Sequence, residues 1–382
     1  MARRIGLAAV VFVLCVATGF TQQATIQDPT ARPVWRTAQA TIGTPAVGGD
    51  DVFALTADHH LLKVSLAGGS EQWRVETGEQ GVTHGAALAL ASGFVLVGEY
   101  DIIAIDRTSG RRQWTFVPRR GYAPGPYLGD VHHDVAFAGS ASGHLYAIDA
   151  RTGRAEWTAV VDPEGESTVY WPRLDGTAVI AGFTRHAAPS GGGLVALDVT
   201  DGRERWRFDF PRRTVSTHMA GGPVVAGDVV VAASGDGQIW AVDRRSGALR
   251  WTAPAITGEL DSIIPAGGQD YRALAVVGST VAAGSTTGYV VGYDFGGREV
   301  WRFAGGRLGS TAFSMGAGVG IAFVPYVSGF LVALDTTTGQ MRWRTNDWQQ
   351  GFIWPPALAG DIAVVSSRQG LWALRIHQED EP

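Results

Sequence analysis

Residues Ala241-Val242-Asp243-Arg244-Arg245-Ser246-Gly247-Ala248-Leu249-Arg250-Trp251 decide the fold, because their skeleton returns four more times in the chain. The form Ala-x-Asp-x-x-x-Gly-x-x-x-Trp runs from Ala104 to Trp114, Ala147 to Trp157, Ala196 to Trp206 and Ala333 to Trp343. Four fixed identities at ordinary usage coincide by chance in on the order of one window in 10⁵. Five copies among 382 residues therefore mean an internal repeat. Three degenerate copies complete the set. Lys63-Val64-Ser65 leads through Gly69 to Trp73, and Gly292-Tyr293-Asp294 reaches Trp301 one residue early. The last copy, Leu371-Trp372-Ala373-Leu374, stops before any tryptophan, and its missing half stands at the other end of the chain as Pro33-Val34-Trp35-Arg36-Thr37.

The eight tryptophans, Trp35, Trp73, Trp114, Trp157, Trp206, Trp251, Trp301 and Trp343, follow one another at 44 residues on average. That period matches a four-stranded propeller blade. Within the fifth unit, Pro223–Val225, Val229–Ala233 and Gln238–Val242 are short β-branched runs separated by Ala226-Gly227-Asp228 and Ser234-Gly235-Asp236-Gly237, which are hairpin signals. Ile239 and Ala241 on one face, and Trp240 and Val242 on the other, make both faces apolar, as a sheet sandwiched between two neighbours requires. The expected fold is all-β: an eight-bladed propeller of four-stranded blades, its last blade closed by the strand around Trp35. Without that closure the ring would leave open edges free to aggregate. In each repeat the glycine takes a turn conformation that a side chain would penalise, and the aspartate accepts turn N–H bonds. The tryptophan spreads its ring between adjacent sheets while the alanine leaves room for a neighbour.

Composition agrees. Glycine occurs 52 times and tryptophan 13 times, which disfavours both a helical protein and a disordered one. The net charge of −5 offers no electrostatic case for nucleic-acid binding. At the N-terminus, Arg3-Arg4, the uncharged apolar run Ile5–Val16 and small Ala17-Thr18-Gly19 have the layout of a secretory signal peptide, too short for a membrane span. Cleavage is expected between Gly19 and Ala24. The domain division is then a signal at 1–24, a propeller at 25–377 and a polar tail at 378–382. Two other signal readings stay open: a lipid anchor on Cys15, which Leu14 disfavours because a small residue is expected there, and a twin-arginine signal at Arg3-Arg4. The expected location is periplasmic or secreted.

The repeat resembles the tryptophan-docking unit of the pyrroloquinoline-quinone (PQQ) propellers over residues 33–376. Two groups share that unit. One comprises quinoprotein dehydrogenases, which oxidise alcohols or sugars with PQQ and Ca²⁺. The other is a non-enzymatic group resembling outer-membrane protein assembly factor BamB, a scaffold that helps insert β-barrels. Dehydrogenases of the first group are longer, and many stack PQQ on a disulfide between adjacent cysteines; the only cysteine here is Cys15. They hold Ca²⁺ partly through an asparagine, and Asn346 is the only one present. No acidic cluster has Ca²⁺-ligand spacing, and haem attachment needs cysteines the chain lacks. The resemblance therefore implies a scaffold with protein partners, among them barrel-assembly components, and with no cofactor, acting as a monomer. The alternatives are a quinoprotein-like enzyme and a channel-mouth ligand sensor.

Candidate binding residues come from segments read as linking one blade to the next, which line one mouth of a propeller channel. They are Arg119-Arg120-Gly121-Tyr122, Tyr170-Trp171-Pro172-Arg173, Arg212-Arg213, Ser216-Thr217-His218-Met219, Glu259-Leu260-Asp261, Phe313 and Phe352-Ile353-Trp354. Tyr170, Trp171, Arg173, His218, Asp261 and Trp354 are the leading candidates, since aromatics and arginine together stack on and clamp a planar anion or anchor an interface. The competing reading is that the aromatics plug the funnel and the arginines are solvated. His59-His60 and His132-His133 are read as turn residues, not metal pairs, because adjacent strand residues face opposite ways. Pro189-Ser190-Gly191-Gly192-Gly193 is read as a flexible hairpin tip in the fourth blade. No hydrolase, zinc-protease or phosphate-loop motif occurs.

Overall fold

The structure, a computed structural model, describes residues 33–78, 87–98, 100–119, 121, 126–163, 166–187, 191–211, 219–254, 271–305, 315–345 and 354–376. The signal segment, the polar tail and the candidates Arg120, Tyr122, Arg212, Arg213, Ser216, Thr217, His218, Glu259, Leu260, Asp261, Phe313, Phe352 and Ile353 lie outside the described residues.

Strands form eight four-stranded antiparallel sheets arranged as the blades of a β-propeller. Seven blades are built from consecutive strands, and the innermost strand of each comes first in sequence. The eighth takes three strands from Ala357–Ala359, Ile362–Ser367 and Gly370–Arg375, and its outer strand, Pro33–Arg36, from the other end of the chain. Pro33 pairs with Leu374, Trp35 with Ala373 and Arg36 with Trp372. The expected closure is thus the observed one. The Arg36 guanidinium lies 4.4 Å over the Trp372 ring and the Thr37 N–H donates to Leu371 O (2.9 Å), so the seam is held by side chains and backbone alike.

The repeat letters act between blades. Trp157 on the outer strand of blade 3 (Ala155–Val160) donates its Nε1–H to Val199 O in blade 4, at 3.0 Å. Its ring covers Gly202, whose φ is +71° and where a Cβ would stand 2.6 Å from the indole. Only glycine satisfies both the left-handed backbone and the close approach. The same Nε1–H to carbonyl bond links each of the eight blades to the next, at Leu66, Arg107, Ala150, Val199, Arg244, Phe295, Thr336 and Ile376. Trp35, Trp206, Trp301 and Trp343 are buried, whereas Trp73, Trp114, Trp157 and Trp251 are half-buried. The repeat aspartate collects turn N–H bonds, as where Asp243 Oδ1 accepts from Arg245 and Ser246 at 3.1 and 3.0 Å. Between blades, the valine, alanine and isoleucine faces of the middle strands form the core, for example Val229, Val231, Ile239 and Ala241 of blade 5 against Val281, Ala283 and Val291 of blade 6.

Two local expectations are corrected. Pro189 and Ser190 lie outside the described residues, and Gly191–Gly193 do not form a hairpin tip: they begin the third strand of blade 4 (Gly191–Asp198), paired with Arg185, Thr184 and Phe183. A Cβ at Gly193 would lie 2.2 Å from Phe208 O, so glycine there admits a close neighbouring strand. Tyr170-Trp171-Pro172-Arg173 do not link two blades. They lie within the innermost strand of blade 4, Ser167–Asp175. A bulge between Tyr170 and Arg173, with Trp171 at φ +36°, admits the proline without ending the strand.

Candidate functional site

The innermost strands of neighbouring blades pack side by side and wall the central channel. Most of this wall carries small residues, such as Ala87, Ala89, Gly129, Gly222, Gly316, Ala317 and Ala357. Against that background the innermost strands of blade 3 (Tyr127–His132) and blade 4 bring aromatic and charged groups together. Tyr127 meets Tyr170 edge-on at 4.7 Å between ring centroids and Trp171 at 5.7 Å. Tyr170 and Trp171 are 5.2 Å apart. Trp171 extends over blade 5, where a Cβ at Gly222 would be 3.0 Å from its ring. The bulge turns this indole sideways along the wall, so three blades share one aromatic patch.

Arg173 is half exposed and pairs with Asp130 Oδ1 at 3.1 Å, while Asp130 Oδ2 accepts the Leu174 N–H at 2.8 Å. Burial, then the neighbouring Tyr170, pushes the Tyr127 hydroxyl up to about 12, and burial raises Tyr170 as well. Both phenols are neutral at physiological pH and serve as stacking surface and hydrogen-bonding groups, not as bases. Each Asp130 oxygen already has one partner, Arg173 on Oδ1 and the Leu174 N–H on Oδ2. Among the described residues no three His, Cys, Asp or Glu side chains are grouped to hold a metal. The arrangement offers stacking area plus one exchangeable ion pair.

The expected mouth residues are only partly gathered. Tyr170, Trp171 and Arg173 belong to this patch, whereas Trp354, half-buried before the innermost strand of blade 8, stands across the ring from blade 4. Arg119 lies beside His144 and Tyr146 of blade 3: its N–H donates to Tyr146 Oη at 3.0 Å. His144 Nδ1 is 2.7 Å from Ser142 O, so that nitrogen carries the proton and cannot accept one from the Ser142 hydroxyl 3.2 Å away. No Ser–His nucleophile is formed there. His59 and His133 occupy turns, at φ +62° and +46°, whereas His60 opens the strand His60–Ser65 and His132 ends the strand Tyr127–His132. Tyr127 and Asp130 were not singled out from sequence. The signal for them is the period itself, since each lies 43 residues before its partner, Tyr170 or Arg173, one blade away.

A family model described as outer membrane protein assembly factor BamB matches residues 6–115, 142–302 and 286–380. Among curated relatives, the protein of that name from Burkholderia pseudomallei is 24% identical over 343 residues, covering 86% of this chain and 82% of its own. The one from Xanthomonas campestris is 33% identical over 124 residues, which span 32% of this chain and only 29% of that protein. A 1-butanol dehydrogenase (quinone) from Thauera butanivorans is 26% identical over 206 residues, covering 49% of this chain and 32% of the enzyme. The solved structure of BamB from Moraxella catarrhalis superposes with a TM-score of 0.64 at 18% identity, covering 91% of this chain and 98% of that one, a likeness of fold.

Proposed function

Since the chain belongs to the family of outer membrane protein assembly factor BamB, we propose that it is a non-enzymatic, exported scaffold that holds protein partners while β-barrels are inserted into the outer membrane. Export would use residues 1–24, and the working form would be a monomer. Among the described residues no helix is long and apolar enough to cross a membrane. The observation that carries the proposal is the channel wall between blades 3 and 4. Its phenols are neutral, its carboxylate is engaged and its arginine is half exposed. Such a patch suits recognition by aromatic and arginine anchors. Neither PQQ nor Ca²⁺ enters this proposal.

The test is affinity purification of the tagged full-length protein from membranes of its own cells, with the retained proteins identified by mass. Barrel-assembly components should be enriched, and Arg173→Ala should reduce their recovery if the channel mouth is the contact. The reading fails if none is enriched and PQQ with Ca²⁺ instead raises the melting temperature and supports alcohol oxidation. That second outcome would favour the dehydrogenase reading, which the partial match to the quinone-dependent butanol dehydrogenase keeps in view.

A further inference from the structure

The eight outermost strands present their free edges to solvent, and seven of them carry arginine. These are Arg36, Arg74, Arg112, Arg205 with Arg207, Arg250, Arg302, and Arg342 with Arg344. Many lie along the edge in ion pairs, such as Arg74 with Glu71 (3.1 Å), Arg207 with Glu204 (2.6 Å) and Arg302 with Glu299 (2.9 Å). Charged side chains along an edge are a device against pairing with another chain. The outer strand of blade 3, Ala155-Glu156-Trp157-Thr158-Ala159-Val160, is the exception and has no arginine. Where five blades place arginine directly after the docking tryptophan, it has Thr158. Blades 2 and 5 also have threonine there. In blade 2, Arg112 covers Thr115 with an Nε–Oγ1 bond of 3.1 Å, and in blade 5, Arg250 bridges Asp228 and Asp243.

Backbone geometry shows what this edge offers. The Val161 N–H donates to Gly143 O at 2.8 Å, and the register continues as Leu145 with Ala159 and Ala147 with Trp157. In an antiparallel ladder alternate residues turn their N–H and C=O groups to the partner. The main-chain groups of Thr158 and Val160 therefore point outward, unguarded. Val160 is 54% exposed, high for a large apolar residue. Glu156, the one charged side chain on the strand, is exposed and makes no ion pair among the described residues. At the strand's end a cavity of about 490 Å³ opens between blades, lined by Val160, Val161, Asp162 and Pro163 on one side and Arg185, Glu204 and Arg207 on the other, where Arg207 Nη2 donates to Val161 O at 2.7 Å and so marks the limit of the bare edge.

We propose that the outer edge of blade 3 is a strand-addition site that takes an extended segment of a partner protein, rich in β-branched residues and bearing a basic side chain opposite Glu156. The free ladder specifies an extended main chain, the exposed carboxylate of Glu156 specifies the charge, and the exposed Val160 gives an apolar anchor. This deepens the scaffold reading by placing one contact on the outside of the ring, away from the channel.

The test uses the full-length protein and a fluorescein-labelled, capped octapeptide, Thr-Val-Thr-Lys-Thr-Val-Thr-Lys, followed by fluorescence anisotropy. Wild type should bind it, and the same peptide N-methylated at alternate residues should bind at least about tenfold more weakly, a loss of roughly 1.4 kcal/mol. Thr158→Arg, which installs the residue five other blades carry, should weaken binding by a similar factor without changing the melting temperature. Thr252→Arg in blade 5 should leave it unchanged. Glu156→Lys should shift preference to the peptide with glutamate in place of lysine. Absence of wild-type binding at millimolar peptide, or equal losses from Thr158→Arg and Thr252→Arg, overturns the proposal. So does a concentration-dependent dimer abolished by Thr158→Arg, because the occupant would then be a second copy. Continued enrichment of barrel-assembly components alongside any of these failures would leave the scaffold reading standing and remove only this site.

Discussion

Replacing Trp206 by alanine isolates the force that joins one blade to the next. The indole is 7% exposed, packs among Ile180, Leu194, Val230 and Val242, covers Gly247 and donates to Arg244 O at 3.0 Å. Removing a buried aromatic of this size costs about 3–5 kcal/mol through lost transfer energy and the cavity left behind. The hydrogen bond accounts for about 1 kcal/mol of the interaction. Across the ring from Pro33 to Ile376, an unfolding entropy near 2.1 cal/mol/K per residue amounts to roughly 0.7 kcal/mol/K. The melting temperature should therefore fall by about 4–7 °C in Trp206→Ala. Trp206→Phe keeps most of the apolar contact and loses the N–H, so its shift should be a third to a half as large. Differential scanning calorimetry of the three proteins in one buffer reads both numbers. A shift below about 2 °C for alanine, or equal shifts for the two variants, would refute the interlocking role assigned to the indole.

Two other perturbations test the turn that receives the indole. Gly202→Ala combines a left-handed backbone with a Cβ 2.6 Å from Trp157. It should cost more than the roughly 1–2 kcal/mol of the backbone penalty alone. Gly176→Ala, at φ +59° with nothing within 4 Å of its Cβ, should cost only that penalty, and equal melting shifts for the two would contradict the account. The repeat aspartates predict an acid limb. The Arg342 guanidinium and the Thr338 N–H hold Asp335 down to about 2; Asp106 and Asp243 are lowered by serine N–H and hydroxyl bonds in the same turn, Asp198 by the Thr200 hydroxyl and the Arg205 guanidinium, and Asp294 by the Arg298 N–H and guanidinium. A carboxylate more acidic in the folded than in the unfolded state stabilises above the unfolded value near 3.9, and that stability is lost as pH falls through the folded value. Melting temperature should stay flat down to about pH 5 and decline from about pH 4 to 2. Each of these groups is solvent-facing, so the limb should be shallow. Asp335→Asn should flatten it further, and an unchanged slope would count against the assignment.

The ring was legible in sequence because three constraints meet in one short turn. The aspartate caps it, the glycine takes the left-handed step, and the tryptophan of the preceding blade lands on that glycine, so none of the three letters can drift alone. Closure was legible for a related reason: Trp35 has no other half-blade to join. The site was less so. Tyr170-Trp171-Pro172-Arg173 reads as a loop because a proline beside bulky aromatics normally interrupts a strand, yet a bulge next to an open channel absorbs both. Gly191-Gly192-Gly193 reads as a tip because glycine runs favour turns, whereas here Gly193 answers the crowding of Phe208 O and Phe183 within a strand, and a Cβ at Gly191 would stand in open space. Tyr127 and Asp130 look unremarkable on their own strand and acquire meaning only beside residues one period later. The bare edge at Thr158 is likewise visible only when all eight outer strands are compared.

Deleting residues 28–40 and recording solubility and thermal melting puts the closed ring to its most direct trial. The truncation removes the outer strand of blade 8, frees the Trp372 and Leu374 edge to solvent and unseats Trp35 from Leu66 and Gly69. An insoluble product, or a soluble one without a cooperative transition, is the result predicted here. A soluble truncated protein melting at the temperature of the full chain would contradict it.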